Sequence, residues 1–211
     1  MRRLGILIGG RGSNMLALAD ACAAGSVPAQ IALVASNDAA APGLAAAAAR
    51  GLATASLDHR PYGRDRADHE AALAGLLDAH GVDLLCLAGY MRILTPYLVG
   101  RYAGRMLNIH PSLLPAFPGL HTHARALAAG VAVHGCTVHV VTETLDDGPI
   151  LAQAAVPVLP GDTEEALAAR VLAQEHRLYA IALAAFLGGS PARPGPQEAL
   201  LNPLPLRRGA A

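Results

Sequence analysis

The chain has 211 residues, of which 53% are hydrophobic but only 3% aromatic, so its core must be built mainly from aliphatic side chains and alanine. Its 16 basic and 16 acidic residues give a formal net charge of +0, which argues against a broad electrostatic surface for nucleic acid or anionic membrane. No segment approaches the ~20 apolar residues of a membrane span, and the scattered Cys22, Cys86 and Cys136 are typical of reduced core thiols. We therefore expect a cytoplasmic protein without a nucleic-acid or membrane partner.

Strand-like apolar runs alternate with helix-like segments through the first half of the chain. The predicted strands are residues 4–8, 31–36, 53–57, 82–87 and 105–109. The predicted helices are residues 15–24, an alanine-rich helix opened by Pro42 and closed by Gly51, residues 64–80 and a short helix near residues 96–102. This alternation is typical of an α/β fold with a doubly wound, mostly parallel sheet and helices on both faces.

The pattern changes in the second half. Residues 136–141 and 150–158 are both strand-like, with only a polar stretch between them, which predicts an antiparallel hairpin at the C-terminal side of the sheet. Residues 163–187 form a long final helix that Thr163 opens, with two glutamates in its first turn. We predict one domain over residues 1–190 and an irregular tail, rich in Pro and Gly, over residues 191–211.

A glycine-rich loop of sequence GGRGSN (9–14) lies between the first predicted strand and the first predicted helix. Glycines let the backbone approach a ligand closely, and a helix N-terminus offers free N–H groups to an anion. The spacing fits neither the dinucleotide fingerprint nor a Walker loop. A tight turn would also explain it, but the position favours a phosphate site, with Arg11 adding charge and Ser13 and Asn14 supplying the N-cap.

Asn108 and His110 lie two apart at the end of a predicted strand, so they share one face of it. An amide can stabilise a developing oxyanion, and an imidazole can move protons near neutral pH. The pair alone is weak evidence, because a single histidine is more often structural. Carbonyl chemistry at the carboxyl end of the sheet is the functional interpretation.

The polar stretch TETLDDGP (142–149) has two interpretations. It is either a solvated turn, for which Asp-Gly is common, or the source of a carboxylate that orients the histidine or holds a catalytic water. Four other histidines suggest a metal, but no ligand spacing supports zinc, and we favour solvated or substrate-facing side chains. They are His121, His123, His134 and His139. No Gly-x-Ser-x-Gly elbow supports a covalent mechanism.

Together these motifs resemble the phosphoribosylglycinamide formyltransferase family of folate-dependent enzymes. The matching segments are GGRGSN (9–14), LAGYMRIL (87–94), NIHPSLLPAFPGLHTH (108–123), HGCTVHVVTETLDDGPIL (134–151) and QEH (174–176). They occur in the family's order and span nearly the whole chain. The NIHPSLLP and LDxGP motifs are shared by all related formyltransferases, whereas the glycine loop, PGLHTH and QEH narrow the choice to the purine enzyme.

The resemblance implies a role for each matching residue. The implied catalytic residues are Asn108, His110 and Asp146. The implied ribonucleotide site comprises Arg11, Gly12, Ser13, Asn14 and Glu175, with the glutamate on the ribose hydroxyls. The implied folate site comprises Arg66, Tyr90, Met91, Arg92, Ile93, Leu94, Asn108, Val141 and Asp146, largely through backbone contacts to the pterin.

Two residues depart from the family pattern. Arg11 stands where a small polar residue is common, and Asp147 stands beside Asp146 where the family often has glycine. The flanking Leu145 and Gly148-Pro149 (148–149) fix the register on Asp146.

The resemblance further implies transfer of a formyl group from 10-formyltetrahydrofolate to the amine of glycinamide ribonucleotide, without a metal, by a monomer or homodimer. The amine would attack the formyl carbon directly, with Asn108 and protonated His110 stabilising the tetrahedral oxyanion and Asp146 assisting the histidine. Related methionyl-tRNA formyltransferases and formyltetrahydrofolate hydrolases are the alternatives; we expect an extra C-terminal domain in the first and an extra N-terminal domain in the second. A non-catalytic nucleotide- or folate-binding module would not need all three side chains.

Overall fold

A computed structural model describes residues 1–63 and 65–188. In these ranges the strands are β1 (Arg2–Ile8), β2 (Ala29–Ser36), β3 (Thr54–Ser56), β4 (Leu84–Ala88), β5 (Met106–His110), β6 (Val133–Val140) and β7 (Ile150–Pro157). The helices are α1 (Ser13–Ala23), α2 (Pro42–Ala48), α3 (Arg66–Ala79), α4 (Pro96–Arg101), α5 (Thr122–Ala128) and α6 (Glu164–Leu187), with a 3-10 turn at Arg60–Tyr62. None of these helices is long and apolar enough to cross a membrane.

The strands form a seven-stranded sheet in the order β3-β2-β1-β4-β5-β6-β7 across the described residues. The first five strands in this order are parallel, whereas β6 runs antiparallel to both β5 and β7. The predicted doubly wound sheet with an antiparallel C-terminal hairpin is therefore confirmed. Because β1, β4 and β5 are parallel neighbours, their carboxyl ends meet at one edge of the sheet.

Apolar side chains cover both faces of the sheet. On one face, α1, α2, α5 and α6 pack against side chains such as Leu4 and Ile6 of β1. On the other face, α3 and α4 pack against side chains such as Leu7. This alternation explains why residues 4–8 of β1 are apolar without a polar face, as expected for a parallel strand buried on both sides.

Tyr179 of α6 ties the long helix to the centre of the sheet. Its fully buried hydroxyl lies 3.1 Å from the carbonyl oxygen of Leu87 and 3.0 Å from that of Leu107. These two carbonyls belong to the neighbouring strands β4 and β5, close to the ends at which the polar side chains cluster. The helix therefore braces the two strands that carry the site.

The structure differs from the sequence prediction at several local points. Gly12, in the left-handed conformation with φ 72°, is the N-cap of α1, and no side chain caps this helix, so the predicted N-cap at Ser13 and Asn14 is wrong. The amide of Asn14 donates instead to the carboxylate of Glu175. Thr163 does cap α6, accepting a hydrogen bond from the backbone N–H of Ala166. The short helix α5 was not predicted from the sequence.

Two boundary predictions lie partly outside the described residues. Residue 64, the predicted first residue of α3, is not described, and the helix begins at Arg66. The predicted irregular tail over residues 191–211 also lies outside the described residues, so the division of the chain at residue 190 stays a prediction.

Candidate active site

A cleft of about 600 Å³ opens where the carboxyl ends of β4 and β5 meet the loops that follow them. Most of the side chains singled out from the sequence line it. They are Asn14, Tyr90, Met91, Arg92, Ile93, Leu94, Asn108, His110, Val141, Asp146 and Glu175. Arg11, Gly12, Ser13 and Arg66 lie outside its lining.

The structure brings Asn108, His110 and Asp146 together. The two β5 residues lie on the same side of the strand, at its last and third-last positions. Asp146 comes from the connection between β6 and β7 and adopts a φ of 54°, a conformation that L-residues other than Asn and Asp rarely adopt. Its carboxylate Oδ2 lies 3.5 Å from Nδ1 of His110, and both side chains are more than nine-tenths buried.

The two ring nitrogens of His110 have different surroundings. Nε2 lies 3.1 Å from the carbonyl oxygen of Phe117, so this nitrogen carries a hydrogen and donates it. Nδ1 faces Asp146 at a distance too long for a good hydrogen bond. Nδ1 is therefore the nitrogen whose proton can be exchanged with a reacting group while the ring stays anchored through Nε2.

Asp146 is itself held in place by the backbone. The N–H of Gly119, in the loop that follows β5, donates to its Oδ2 at 2.8 Å and so helps to fix the carboxylate. The neighbouring Asp147 is exposed to solvent. The structure therefore places the first of the two aspartates, and not the second, beside the histidine.

His139 orients the amide of Asn108. The two residues are paired across β5 and β6, and Nδ2 of Asn108 lies 3.1 Å from Nε2 of His139. Nδ1 of His139 lies 3.1 Å from the carbonyl oxygen of Val140, so it carries the hydrogen and leaves Nε2 as the acceptor. Burial lowers the pKa of His139, which keeps the ring neutral and suited to this role. The second N–H of the Asn108 amide remains for a ligand.

Asn14 and Glu175 form a second polar group in the cleft. Nδ2 of Asn14 donates to Oε2 of Glu175 at 2.7 Å across α1 and α6. Burial raises the pKa of Glu175, and the Asn14 hydrogen bond opposes the rise. The Oδ1 atom of Asn14 is buried with no hydrogen-bond partner in the structure, so it is an acceptor left for a donor group of a ligand. Arg11, one of the two departures from the family pattern, is exposed.

Another wall of the cleft is formed by residues 90–94, the 90–94 segment. They follow β4 without helix or strand structure, and the side chains of Met91 and Ile93 are 70% and 62% exposed. Burial raises the pKa of Tyr90 to about 12, so its hydroxyl stays protonated. This wall offers backbone groups and apolar surface, without a buried carboxylate or imidazole.

The four histidines considered as metal ligands separate into two groups. His121, His123 and His139 line the cleft. His134 does not, and it is only 1% exposed, so its predicted solvated or substrate-facing position is wrong. Its ring packs against that of Phe117, with centroids 5.9 Å apart, and against His123. Within the described ranges no group of three or more His, Cys, Asp or Glu side chains is arranged to hold a metal ion.

The chain is similar to known proteins over most of its length. The profile of the formyl transferase family matches residues 2–183. The chain belongs to the formyl transferase family. Phosphoribosylglycinamide formyltransferase of Escherichia coli is 46% identical to it over 184 residues, which are 87% of this chain and 86% of that protein. The crystal structure of phosphoribosylglycinamide formyltransferase from Brucella melitensis is 57% identical, with a TM-score of 0.83 over 88% of this chain and 95% of that one.

A longer relative contains a region similar to this family member. The human trifunctional purine biosynthetic protein adenosine-3 is 44% identical over 188 residues, which are 89% of this chain. These residues are only 18% of that protein, so the match concerns one part of it.

Sequence reasoning missed three groups that shape the site. His139, which orients Asn108, was considered only as a metal ligand. Phe117 and Gly119, which contact His110 and Asp146 through backbone atoms, carry no side-chain signal at all. A histidine within a largely apolar predicted strand is the local sign that His139 faces a polar partner.

Proposed function

We propose that this formyl transferase family member transfers a formyl group from 10-formyltetrahydrofolate to the amine of glycinamide ribonucleotide, a step in de novo purine biosynthesis. One observation carries the proposal: a single cleft is lined by the three side chains of Asn108, His110 and Asp146, by the pair of Asn14 and Glu175, and by the 90–94 segment. A volume of about 600 Å³ lies within the usual range for small-molecule sites. The high identity to enzymes of that name supports the choice of reaction.

The reaction begins with attack of the neutral amine of the ribonucleotide on the formyl carbon. A new C–N bond forms, and the carbonyl electrons move onto the oxygen to give a tetrahedral oxyanion. The free N–H of Asn108 and the proton on Nδ1 of His110 stabilise this charge, because both are positioned before the charge develops. Burial of the site strengthens these interactions relative to water.

Collapse of the intermediate completes the transfer. The attacking nitrogen loses a proton, the bond between the formyl carbon and the folate nitrogen breaks, and that nitrogen takes up a proton as tetrahydrofolate leaves. Asp146 assists this relay, because its carboxylate faces His110 and can accept the amine's proton directly or through water. No step requires a metal.

The Asn14–Glu175 pair and the start of α1 are assigned to the ribonucleotide. Glu175 can accept hydrogen bonds from the ribose hydroxyls, and Oδ1 of Asn14 is an unused acceptor beside it. Gly12 and Ser13 offer the N-terminal N–H groups of an 11-residue helix, which attract a phosphate. Arg11 is exposed and adds a positive charge to this loop.

The folate donor is assigned to the remaining wall of the cleft. The backbone of the 90–94 segment offers N–H and C=O groups for a pterin, and Val141 contributes apolar surface. Arg66 lies outside the cleft lining but contacts the segment, and its charge can reach the acidic end of a folate.

We also propose a cytoplasmic location and a monomeric or homodimeric state, with small molecules as the only binding partners. The support for the location is chemical, because Cys22, Cys86 and Cys136 are all free thiols, as is usual where the cellular environment is reducing.

One experiment tests the assignment. Purified protein is mixed with glycinamide ribonucleotide and 10-formyltetrahydrofolate, and release of tetrahydrofolate is followed together with the mass of the ribonucleotide. The proposal requires folate release and a ribonucleotide heavier by one formyl group. Release of folate and formate without the ribonucleotide would make the protein a hydrolase. Binding of both molecules without any release would make it a non-catalytic module.

A further inference from the structure

A buried carboxylate on α3 lies outside the cleft and contacts the chain just beyond the 90–94 segment. Glu70 is 3% exposed. Its Oε1 accepts the backbone N–H of Thr95 at 2.8 Å, and its Oε2 accepts the Thr95 hydroxyl at 2.5 Å. Oε2 also lies 3.4 Å from the backbone N–H of Leu98, in the first turn of α4. All these contacts go to one short stretch of chain, 25 to 28 residues away.

This arrangement is an N-cap supplied by a different helix. Thr95 is the N-cap residue of α4, yet its own side chain makes no capping hydrogen bond. The first N–H groups of a helix have no partner within the helix, and a carboxylate there is favourable because it also meets the positive end of the helix dipole. A buried carboxylate is costly unless its oxygens are hydrogen-bonded, and both oxygens of Glu70 are.

The same face of α3 holds the segment at a second point. Arg66 lies one helical turn before Glu70, and its Nη1 donates to the carbonyl oxygen of Ile93 at 3.3 Å. The 90–94 segment has neither helix nor strand structure, and Met91 and Ile93 are exposed, so regular backbone hydrogen bonds do not fix its path. Tyr90 and Leu94 pack against the core, and beyond these contacts the segment is held at β4 on one side and at Glu70 on the other.

We propose that Glu70 is a positioning residue for the donor half of the cleft. Glu70 caps α4 and accepts two hydrogen bonds from Thr95, and in this way it fixes the backbone of the 90–94 segment, which binds the folate donor. This inference rests on the proposed function for the identity of the donor, but not for the link between Glu70 and the segment. Because Glu70 contacts neither the reacting atoms nor the Asn14–Glu175 pair, its loss should weaken donor binding without slowing the chemistry.

Two pairs of variants test this role. Glu70→Gln keeps the shape but leaves the Leu98 N–H facing an amide N–H, and Thr95→Val removes the hydroxyl. Asp68→Asn is the matched control, since it neutralises an exposed carboxylate on the same helix, and Thr95→Ser keeps the hydroxyl. We expect both test variants to raise KM for the donor about tenfold, with kcat and KM for the ribonucleotide changed less than about twofold. Both controls should match the parent protein.

The positioning role of Glu70 can be tested even if the proposed function is wrong. If the parent protein does not use 10-formyltetrahydrofolate, the proposed function fails, and hydrogen–deuterium exchange of the free proteins still tests the positioning role. Faster exchange at residues 91–95 in Glu70→Gln than in Asp68→Asn supports it. Equal exchange in the two variants, or an equal rise of both KM values with a lower melting temperature, would show a purely structural role and overturn the inference.

Discussion

At the Asn108–His110–Asp146 end of the cleft, buried side chains carry the polar groups, and the strand β5 and a constrained loop hold them. At the 90–94 end, Met91 and Ile93 are exposed while Tyr90 and Leu94 pack against the core, and the backbone supplies polar groups. The first end makes its contacts within the site itself, whereas the second takes its shape from Glu70 and Arg66 on α3 behind it. Single substitutions should therefore act on turnover at the first end and on donor affinity at the second.

The largest expected effect comes from the centre of the first end. His110→Ala removes the proton donor to the oxyanion, and we expect kcat to fall by about 10³-fold or more while both KM values change only a few-fold. His80→Ala, at the far end of α3 from Arg66, is the control and should leave both parameters unchanged. Steady-state kinetics with each substrate varied in turn provide the measurement. A near-normal kcat in His110→Ala would show that the histidine takes no part in the mechanism. It would also contradict the expected contrast between the two ends of the cleft.

The sequence predicts this first end well, and the reason lies in β5. Asn108 and His110 share a face because any strand alternates its side chains, and the apolar run before them makes the strand recognisable. The hairpin of β6 and β7 follows from two apolar runs with no helix between them. These features depend on local patterns, which a single sequence displays directly.

The features that the sequence does not predict depend on contacts between residues far apart in the chain. His139 meets Asn108 only because the register of β5 against β6 places them opposite each other, and no local pattern states that register. Glu70 likewise contacts Thr95 through the packing of α3 against α4. The helix α5 has seven residues, too few for a clear helical period, and its N-cap residue His121 has a left-handed conformation that local propensity does not suggest.

The second-largest effect separates the two neighbouring aspartates. Asp146→Asn keeps the size of the side chain but removes the charge facing His110, and we expect kcat to fall by about 10²-fold. Asp147→Asn is the matched control, because its carboxylate is exposed, and it should stay within about twofold of the parent protein. Rates from single-turnover experiments compare the two directly. A larger loss in Asp147→Asn than in Asp146→Asn would reverse the assignment.

A smaller effect is expected from His139, which touches Asn108 but not the reacting atoms. His139→Phe removes the acceptor that orients the amide, and we expect kcat to fall by about tenfold. The informative measurement is a double-mutant cycle with Asn108→Ala. Once the amide is gone, the His139 substitution should cost little further, so the two losses should not add. Full additivity would mean that His139 acts independently of Asn108.

The smallest expected effect concerns stability in acid. Burial lowers the pKa of His134, which packs against Phe117 beneath the first end, to about 4. Because the unfolded chain takes up this proton near pH 6.5 and the folded chain only near pH 4, the stability contributed by the neutral ring is fully present above pH 6.5. It is lost as the pH falls between these two values.

We expect the melting temperature to drop by a few °C across this range, and by less in His134→Asn than in the parent protein. Burial also lowers the pKa of His69, which lies near Tyr90 on the other side of the sheet, so part of the loss should remain in His134→Asn. Melting curves measured at pH steps from 7 to 4 on both proteins test this, and parallel curves would show that His134 does not carry the acid sensitivity.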